Sequence, residues 1–238
     1  MTDSAPRTAR ERARAEITAE ILDAARGYLA TDGAPALSLR AIARDLGMAS
    51  SALYRYFSSR DQLLTRLIID AYDSLGAAAE AAEAAVDRND LAGRFAATCI
   101  AVRAWAQAHP NEYALIYGSP VPGYVAPADT VRPASRVITV LLRIIVEAAV
   151  ADRIPDADIR DAEAQPVADA VGPIRSYLPP GVPAPLVQRT LMVWTNLFGV
   201  ISFELFGQLH NVVAEPPAGR DAFFTESIRR WITFTAIT

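Results

Sequence analysis

The side chains best suited to a chemical task cluster in one short stretch of the chain. Residues 50–56 carry four hydroxyl groups and one guanidinium, on Ser50, Ser51, Tyr54, Tyr56 and Arg55. Hydroxyl groups bind phosphate oxygens, and arginine binds phosphates or the edge of guanine. An ordinary helical hairpin with a polar outer face is the alternative. The serine pair, followed by two tyrosines that flank an arginine, favours contact with double-stranded DNA.

Two short helices are predicted to position this stretch. Apolar residues recur at positions 39, 42, 43 and 46, the spacing of one helical face. Ser38 precedes this face and can cap it, and Gly47 follows where a left-handed backbone conformation is expected. A second helix is expected to start at residue 49 or 50 and to bury Leu53 and Phe57. Helix, glycine turn and helix indicate the helix-turn-helix motif, whose second helix enters the DNA major groove.

These residues carry a family resemblance. Residues 38–64 resemble the DNA-binding motif of the TetR family of transcriptional regulators, in order, spacing and residue type. Ala49 stands where that family usually has serine, so Ser50 is expected to take part of the capping role. Residue type and resemblance together predict DNA contacts from Ser38, Arg40, Ser50, Ser51, Tyr54, Arg55, Tyr56 and Arg60. Arg60 falls where the family commonly has a phosphate-contacting lysine.

The segment before the motif is predicted to complete a three-helix head. Residues 11–31 read as a helix that packs across the two shorter ones. Residues 1–10 carry Arg7 and Arg10, and they fit either a basic arm that contacts DNA or a solvated tail. The DNA-binding domain is therefore predicted at residues 1–58, packed on the start of a linking helix at 60–84. Residues 59–238 are predicted to form the body.

The sequence contains none of the common catalytic or metal-binding motifs. H-E-x-x-H, paired cysteine ligands, a glycine-rich phosphate loop and G-x-S-x-G are absent. His109 and His210 are predicted to lie at a helix end and near a loop. Cys99 falls in an apolar helical stripe, where a buried inert thiol is expected. We expect no enzyme activity, no catalytic or metal site and no cofactor, with an all-helical enzyme as the remote alternative.

Composition and charge restrict the class of protein. The 238 residues are 52% apolar, which suffices for a sizeable core, and their formal net charge is −4. Residues 1–66 hold ten arginines and eight acidic residues, so a slightly basic head precedes an acidic body. One cysteine excludes an intrachain disulfide and favours a reducing compartment. Without a signal peptide or an apolar run long enough for a bilayer, a cytoplasmic protein with no membrane contact is expected.

The body reads as a set of helices separated by proline-rich segments. Helices are predicted at 91–108, 111–117, about 133–150, 185–209 and 220–236, with a loop at 118–131 and short helices near 156–163 and 166–177. The helix at 185–209 is apolar nearly all round from Leu191 to Leu205, so two of its faces must be buried. One face suits its own core and the other a second copy of the chain. A homodimer through helices 185–209 and 220–236 is therefore predicted, about a two-fold axis.

The body also resembles TetR C-terminal domains of the Trp-His-Gly type. Residues 194–199 carry the likeness, with Phe198 in place of the family's histidine. An effector site is predicted from aromatic and histidine side chains, namely Trp105, His109, Tyr113, Tyr117, Tyr124, Trp194 and Phe198. Apolar walls with a few polar groups are typical of small-molecule sites. Packing in the core or in the dimer interface is the alternative for each of these residues.

Taken together, the residues and the resemblance predict an all-α homodimeric repressor of the TetR type. It would leave a palindromic operator when a small apolar or aromatic effector binds the body. The sequence does not distinguish this repressor from a regulator that responds to a protein partner or to no effector.

Overall fold

The computed structural model describes residues 8–151, 153–154, 169, 171–175, 182–214 and 218–237. Within these residues the regular structure is entirely helical, and the predicted all-α class is confirmed. The helices are α1 (Ala9–Thr31), α2 (Leu39–Asp45), α3 (Ser50–Leu53), α4 (Arg60–Ala84), α5 (Leu91–Ala108), α6 (Pro110–Tyr117), α7 (Val131–Ala134), α8 (Arg136–Val150), α9 (Gly172–Arg175), α10 (Ala184–Leu205) and α11 (Ala218–Thr235). Two 3-10 turns occupy Ala34–Ala36 and Ala128–Thr130.

The chain divides into two compact units. The first unit holds residues 1–71 and 111–130, and the second holds residues 72–110 and 131–238. The first half of α4 therefore belongs to the first unit and its second half to the second. The functional boundary between residues 58 and 59 stays a prediction.

The first unit is built on α1 and the helix-turn-helix. Helix α1 begins at Ala9, two residues before the predicted start, because Thr8 and Glu11 form a capping box. Each side chain of that pair accepts from the other residue's backbone N–H, at 3.2 and 2.8 Å. Residues 8–10 of the predicted arm are therefore the start of α1, and residues 1–7 lie outside the described residues. The apolar core includes Ile21, Leu22, Ala25, Leu39, Ile42, Ala43, Leu53, Phe57, Leu63 and Leu64.

The helix-turn-helix agrees with the predicted limits, with one correction. The Ser38 hydroxyl caps α2 by accepting from the N–H of Ala41 at 3.5 Å, and Gly47 adopts a φ of 63° in the turn. Helix α3 has four residues, and its N-cap is Ala49, which provides no side-chain bond. The expectation that Ser50 shares the capping role is wrong, because Ser50 is already the first residue of the helix.

Helices α5, α8 and α10 form the centre of the second unit. Helix α10 packs on α8, α5 and α11, and α5 also packs on α8 and α11. The predicted inner stripe of α5 is buried, with Leu91, Phe95, Cys99, Val102, Trp105 and Ala106. Asp90 caps the start of α5 by accepting from the N–H of Gly93 at 2.8 Å, and His109 is its C-cap. The limits of α5 therefore agree with the prediction.

Two predicted helix limits in the second unit need correction. Helix α8 begins at Arg136 with Ser135 as its N-cap, so Pro133 lies in the separate short helix α7. Helix α10 ends at Leu205 rather than at residue 209, because the chain turns at Gly207, where φ is 84°. The predicted helix at 156–163 and half of the one at 166–177 lie outside the described residues.

Candidate nucleic-acid interface

Helix α3 and the turn after it present the side chains expected to contact DNA. Leu53 is fully buried and Phe57 is 5% exposed, so these two residues anchor the segment in the core. Four of the expected side chains are exposed, those of Ser50, Ser51, Tyr54 and Arg55. None of the four forms a hydrogen bond or ion pair with another described residue. Their polar groups are available to a partner at the surface.

Tyr56 is half-buried and pairs with Arg14 of α1. The guanidinium carbon of Arg14 lies 5.1 Å from the centroid of the Tyr56 ring, within the range of a cation–π interaction. Arg14 Nη2 also donates to the backbone carbonyl of Arg55 at 3.3 Å. Arg14 therefore links α1 to the turn that follows α3. Nothing in the sequence pairs Arg14 with Tyr56, and the only signal is the run of arginines at positions 10, 12 and 14.

The two predicted contacts around α2 differ in what their side chains do. Ser38 is half-buried, and its hydroxyl is used in the cap described above. Arg40 is exposed and forms no hydrogen bond or ion pair within the described part of the chain. At the other end of α2, the Tyr28 hydroxyl donates to the Asp45 carboxylate, and this bond raises the pKa of Tyr28. Helix α2 is thereby tied to α1 while Arg40 stays exposed.

Arg60 begins α4 and directs its guanidinium toward the backbone. Its Nε donates to the carbonyl of Leu37 at 3.1 Å, and its Nη2 donates to the carbonyls of Ala34 and Pro35 at 2.8 and 3.4 Å. Its Nη1 lies 3.7 Å from a carboxylate oxygen of Asp61. Two of the three guanidinium nitrogens are therefore used by the segment that leads into α2.

The seven residues predicted to form an effector site fall into both units. Tyr113, Tyr117 and Tyr124 belong to the first unit, and Trp105, His109, Trp194 and Phe198 belong to the second. In the first, the rings of Tyr113 and Tyr117 lie 5.1 Å apart, and the Tyr124 hydroxyl is hydrogen-bonded to Thr65 at 2.8 Å. The site as a whole stays a prediction.

The second-unit members form two ring pairs. The rings of Trp105 and His109 stack at 4.9 Å, and the Trp105 indole N–H donates to the Ser74 hydroxyl at 2.9 Å. Trp194 and Phe198 meet edge to face at 5.6 Å. The indole nitrogen of Trp194 is buried and has no hydrogen-bond partner among the described residues. A buried N–H without an acceptor is destabilising by about 1–3 kcal/mol, so an acceptor supplied by a ligand would be favourable here.

Two depressions in the structure are lined by other residues. In the first unit, a cavity of about 220 Å³ is lined by Leu29, Pro35, Leu115, Pro120 and Val121, among others. In the second unit, a shallow depression of about 310 Å³ lies on α10 and α11 and includes Phe203 and Phe223. Neither contains any of the seven predicted residues.

An apolar surface runs along α10 and continues on α11. Met192 and Phe203 of α10 are 46% and 55% exposed, and Phe206, the C-cap of α10, is 43% exposed. Phe223 and Phe234 of α11 are 40% and 43% exposed. Exposed apolar patches of this kind commonly mark a protein–protein interface. The surface lies on the two helices predicted to form the dimer.

The second unit contains a buried ionic cluster that the sequence did not indicate. Arg94 of α5 is fully buried, and Glu83 of α4 is 1% exposed. Arg94 Nε donates to Glu83 at 2.6 Å, and its Nη1 donates to Glu147 of α8 at 2.5 Å. Arg88 and Arg143 add contacts to Glu83 at 2.6 and 2.8 Å. The cluster joins α4, α5 and α8.

The described residues hold no arrangement suited to metal binding or to a membrane span. No group of three or more His, Cys, Asp or Glu side chains is placed there to hold a metal ion. No described helix is both long enough and apolar enough to cross a bilayer. Cys99 is fully buried, and desolvation raises the pKa of its thiol. A thiol in that state is a poor nucleophile.

Comparison with known proteins agrees with this arrangement. A family model described as bacterial regulatory proteins of the tetR family matches residues 21–67, and one described as a tetracyclin repressor-like C-terminal domain matches residues 95–231. The HTH-type transcriptional regulator Rv1816 of Mycobacterium tuberculosis is 42% identical over 205 residues, covering 84% of this chain and 85% of the relative.

Solved structures show the same fold. The protein SCO4313, known from a crystal structure, is 35% identical in sequence and aligns with a TM-score of 0.77. The alignment covers 95% of this chain and 100% of that one. A protein of unknown function from Rhodococcus sp. RHA1 is 25% identical with a TM-score of 0.65, covering 92% of this chain and 93% of that one.

Proposed function

The chain belongs to the TetR family of bacterial transcriptional regulators, and on that premise we propose that it is a homodimeric repressor released from a palindromic operator by a small apolar or aromatic molecule. The family is one of regulators rather than enzymes. The observation that carries the proposal is the exposed surface of α3 and the turn after it, where the side chains of Ser50, Ser51, Tyr54 and Arg55 have no partner among the described residues.

The proposed DNA contacts use groups with different tasks. Arg55 has five N–H donors and can pair with the O6 and N7 of guanine, so it is the proposed base-reading residue. Ser50, Ser51 and Tyr54 would bind phosphates and fix the register of α3. Arg40, exposed on α2, would add a phosphate contact, and Tyr56 would hold the turn through Arg14. These roles agree with the short α3, which leaves few side chains to read a base.

Homodimer formation would be driven by the apolar surface of α10 and α11. Phe203 and Phe223 lie on this surface and are 55% and 40% exposed. Burial of such rings against a second copy is favourable by roughly 25 cal/mol per Å² of apolar area. A two-fold dimer also presents two copies of α3, which multiplies the contacts that one four-residue helix makes. The proposed operator is therefore a palindrome.

The proposed effector site centres on Trp194 and Phe198. The indole N–H of Trp194 has no acceptor among the described residues, and this favours an aromatic or apolar molecule that carries one hydrogen-bond acceptor. Such a molecule weakens operator binding only if it binds better to the conformer that does not fit the operator. The alternative is a regulator that responds to a protein partner or to no effector. It would make the same DNA contacts and would have no effector site. The proposed location is the cytoplasm, where the operator lies.

The effector proposal is tested by thermal-shift screening of the purified protein with aromatic compounds that carry an acceptor. A stabilising compound should lose much of its effect in Trp194→Phe, which keeps an aromatic ring and removes the N–H. Trp231→Phe is the matched control on α11. If no compound stabilises the protein, and denaturation releases no bound molecule, the effector part of the proposal fails and the regulator without an effector remains.

A further inference from the structure

The side chain of Arg60 is placed differently from one that contacts a phosphate at the protein surface. The side chain is only 30% exposed, although arginine at the start of a helix is usually solvated. Its Nε and Nη2 donate to the carbonyls of Leu37 and Ala34, 23 and 26 residues earlier in the chain. The third nitrogen faces Asp61, whose negative charge disfavours a phosphate at the same place.

The residues joined by this contact enclose the whole helix-turn-helix. Leu37 immediately precedes the Ser38 cap of α2, and Arg60 is the first residue of α4. Helices α2 and α3 and the turn between them all lie inside the loop that the guanidinium closes. A contact between the two ends of a loop restricts the positions available to everything within it. The angle at which α2 enters, and hence the placement of α3, depends on this closure.

We propose that Arg60 is a positioning residue, which holds the two ends of the helix-turn-helix together so that α3 is presented in one orientation. This inference rests on the proposed DNA-binding role of α3. The planar guanidinium is suited to the task because it holds two donors at a fixed separation, one for each carbonyl. A lysine ammonium is a single point of donation and cannot span both in the same way. Arg60 thus acts on DNA through α2 and α3.

A positioning role and a phosphate contact predict different salt behaviour. Loss of one phosphate contact lowers the slope of log affinity against log salt by about 0.9 and weakens every DNA sequence to a similar degree. Loss of a positioning contact leaves the slope unchanged and weakens the specific duplex much more than an unrelated one. The ratio of specific to non-specific affinity therefore separates the two.

The experiment compares Arg60→Gln and Arg60→Lys with Arg66→Gln. Arg66 lies on the same helix, is 55% exposed and pairs only with Asp70 among the described residues, so its variant removes the same charge without opening the loop. The DNA probes are a duplex that the wild-type protein selects from a random library and a scrambled duplex of equal length. Titration at several salt concentrations gives affinities per active molecule, and thermal unfolding gives the folded fraction.

We expect Arg60→Gln to lose roughly tenfold or more in affinity for the selected duplex, the scale of one lost charge-assisted hydrogen bond. Affinity for the scrambled duplex and the salt slope should stay at the wild-type values. Arg60→Lys should recover part of the loss, and Arg66→Gln should show none. The proposal would be overturned if Arg60→Gln weakened binding to both duplexes equally and lowered the salt slope. It would also be overturned if the affinity of Arg60→Gln for the selected duplex, per folded molecule, were unchanged.

Amide hydrogen exchange provides a readout that needs no DNA. Arg60→Gln should accelerate exchange in α2 and α3, while Arg66→Gln should leave these helices at the wild-type rate. Exchange unchanged in α2 and α3 would refute the closure. If the wild-type protein selected no duplex, the proposed function would fail, and hydrogen exchange would still decide whether Arg60 orders the motif.

Discussion

The side chain of Arg136 lies directly against Gly76, which has no Cβ to obstruct it. A Cβ built on Gly76 would lie 2.6 Å from Arg136 Nε and 2.7 Å from Arg136 Cβ. From this position Arg136 donates to the Asp73 backbone carbonyl at 2.7 Å and to the Glu80 carboxylate at 2.9 and 2.7 Å. Helix α8 is therefore joined to the second half of α4 at a point where only glycine fits.

Gly76→Ala is expected to destabilise the protein, although alanine is the better helix former. The new methyl group displaces Arg136 and breaks its bonds to Asp73 and Glu80. This loss outweighs the gain of about 1 kcal/mol that the substitution usually brings inside a helix. Chemical denaturation should give a lower free energy of unfolding.

Gly27→Ala is the matched control, because apart from its chain neighbours and the backbone of α1 no described atom lies within 4 Å of the position a Cβ would take at Gly27. That variant should gain up to about 1 kcal/mol from helix propensity alone. Equal changes in the two variants would show that Arg136 does not restrict position 76.

The ionic cluster at Glu83 should make stability depend on acid pH. Burial by itself would raise the pKa of Glu83, but the hydrogen bond from Arg94 and the charges of Arg143, Arg94 and Arg88 outweigh it and lower the pKa. A lowered pKa in the folded state means that the stabilisation is complete above the unfolded-state pKa of about 4.3 and is lost as the pH falls below it.

Glu83→Gln should therefore flatten the acid limb of a plot of unfolding free energy against pH. At neutral pH it should also be destabilising by about 3–5 kcal/mol, because Arg94 stays buried without its nearest counter-charge. Glu20→Gln, at an exposed position of α1 with no ion pair to a described residue, should change neither quantity appreciably. An acid limb as steep as wild type in Glu83→Gln would contradict this role.

Cys99 should be inert to thiol reagents in the folded protein. The residue is fully buried, and desolvation raises the pKa of its thiol, so little thiolate is present and no reagent reaches it. Labelling with a chromogenic disulfide should proceed only as denaturant populates the unfolded state. Complete labelling within the mixing time in native buffer would disprove the assignment of Cys99 to the core.

Arg14 and Tyr56 should be energetically coupled across the head. Their cation–π contact and the bond from Arg14 to the Arg55 carbonyl hold the turn after α3. In a double-mutant cycle of Arg14→Gln with Tyr56→Leu, we expect a coupling of about 0.5–1 kcal/mol in unfolding free energy, the usual size at an exposed site. Tyr56→Phe keeps the ring and should keep the coupling. The control cycle of Arg12→Gln with Tyr56→Leu should give a coupling energy near zero. A coupling energy near zero in the Arg14 cycle as well would argue against the contact.

The fold was predictable from the sequence where local signals fix the helix ends. Ser59 and Asp90 cap α4 and α5, accepting from the N–H groups of Gln62 and Gly93, and both helices have the predicted limits. The family resemblance at residues 38–64 agrees with the TetR match at residues 21–67. The end of α10 was harder to predict, since Phe206 and Leu209 are also apolar while the backbone turns at Gly207.

Tertiary contacts of charged groups could not be predicted in the same way. The local sequence does not distinguish Arg60, Arg94 and Arg136 from the exposed Arg40. It therefore does not show that these three arginines donate to groups 23 to 63 residues away. The partners of Arg94 and Arg136 are brought together only by the packing of α4, α5 and α8, and those of Arg60 by the segment that leads into α2. The exposed face of α3 was predictable because Leu53 and Phe57 fix which side is buried.

Footprinting on duplex DNA tests the DNA-binding role most directly. The wild-type protein, on a duplex selected from a random library at low salt, should protect a palindromic site whose half-sites lie about one helical turn or a multiple apart. Arg55→Ala should weaken that binding by about 1–3 kcal/mol and relax the base preference at one position in each half-site. The role of α3 and the following turn in reading DNA would be contradicted if the wild-type protein selected or protected no duplex at low salt. It would also be contradicted if Arg55→Ala left both the affinity and the base preference unchanged.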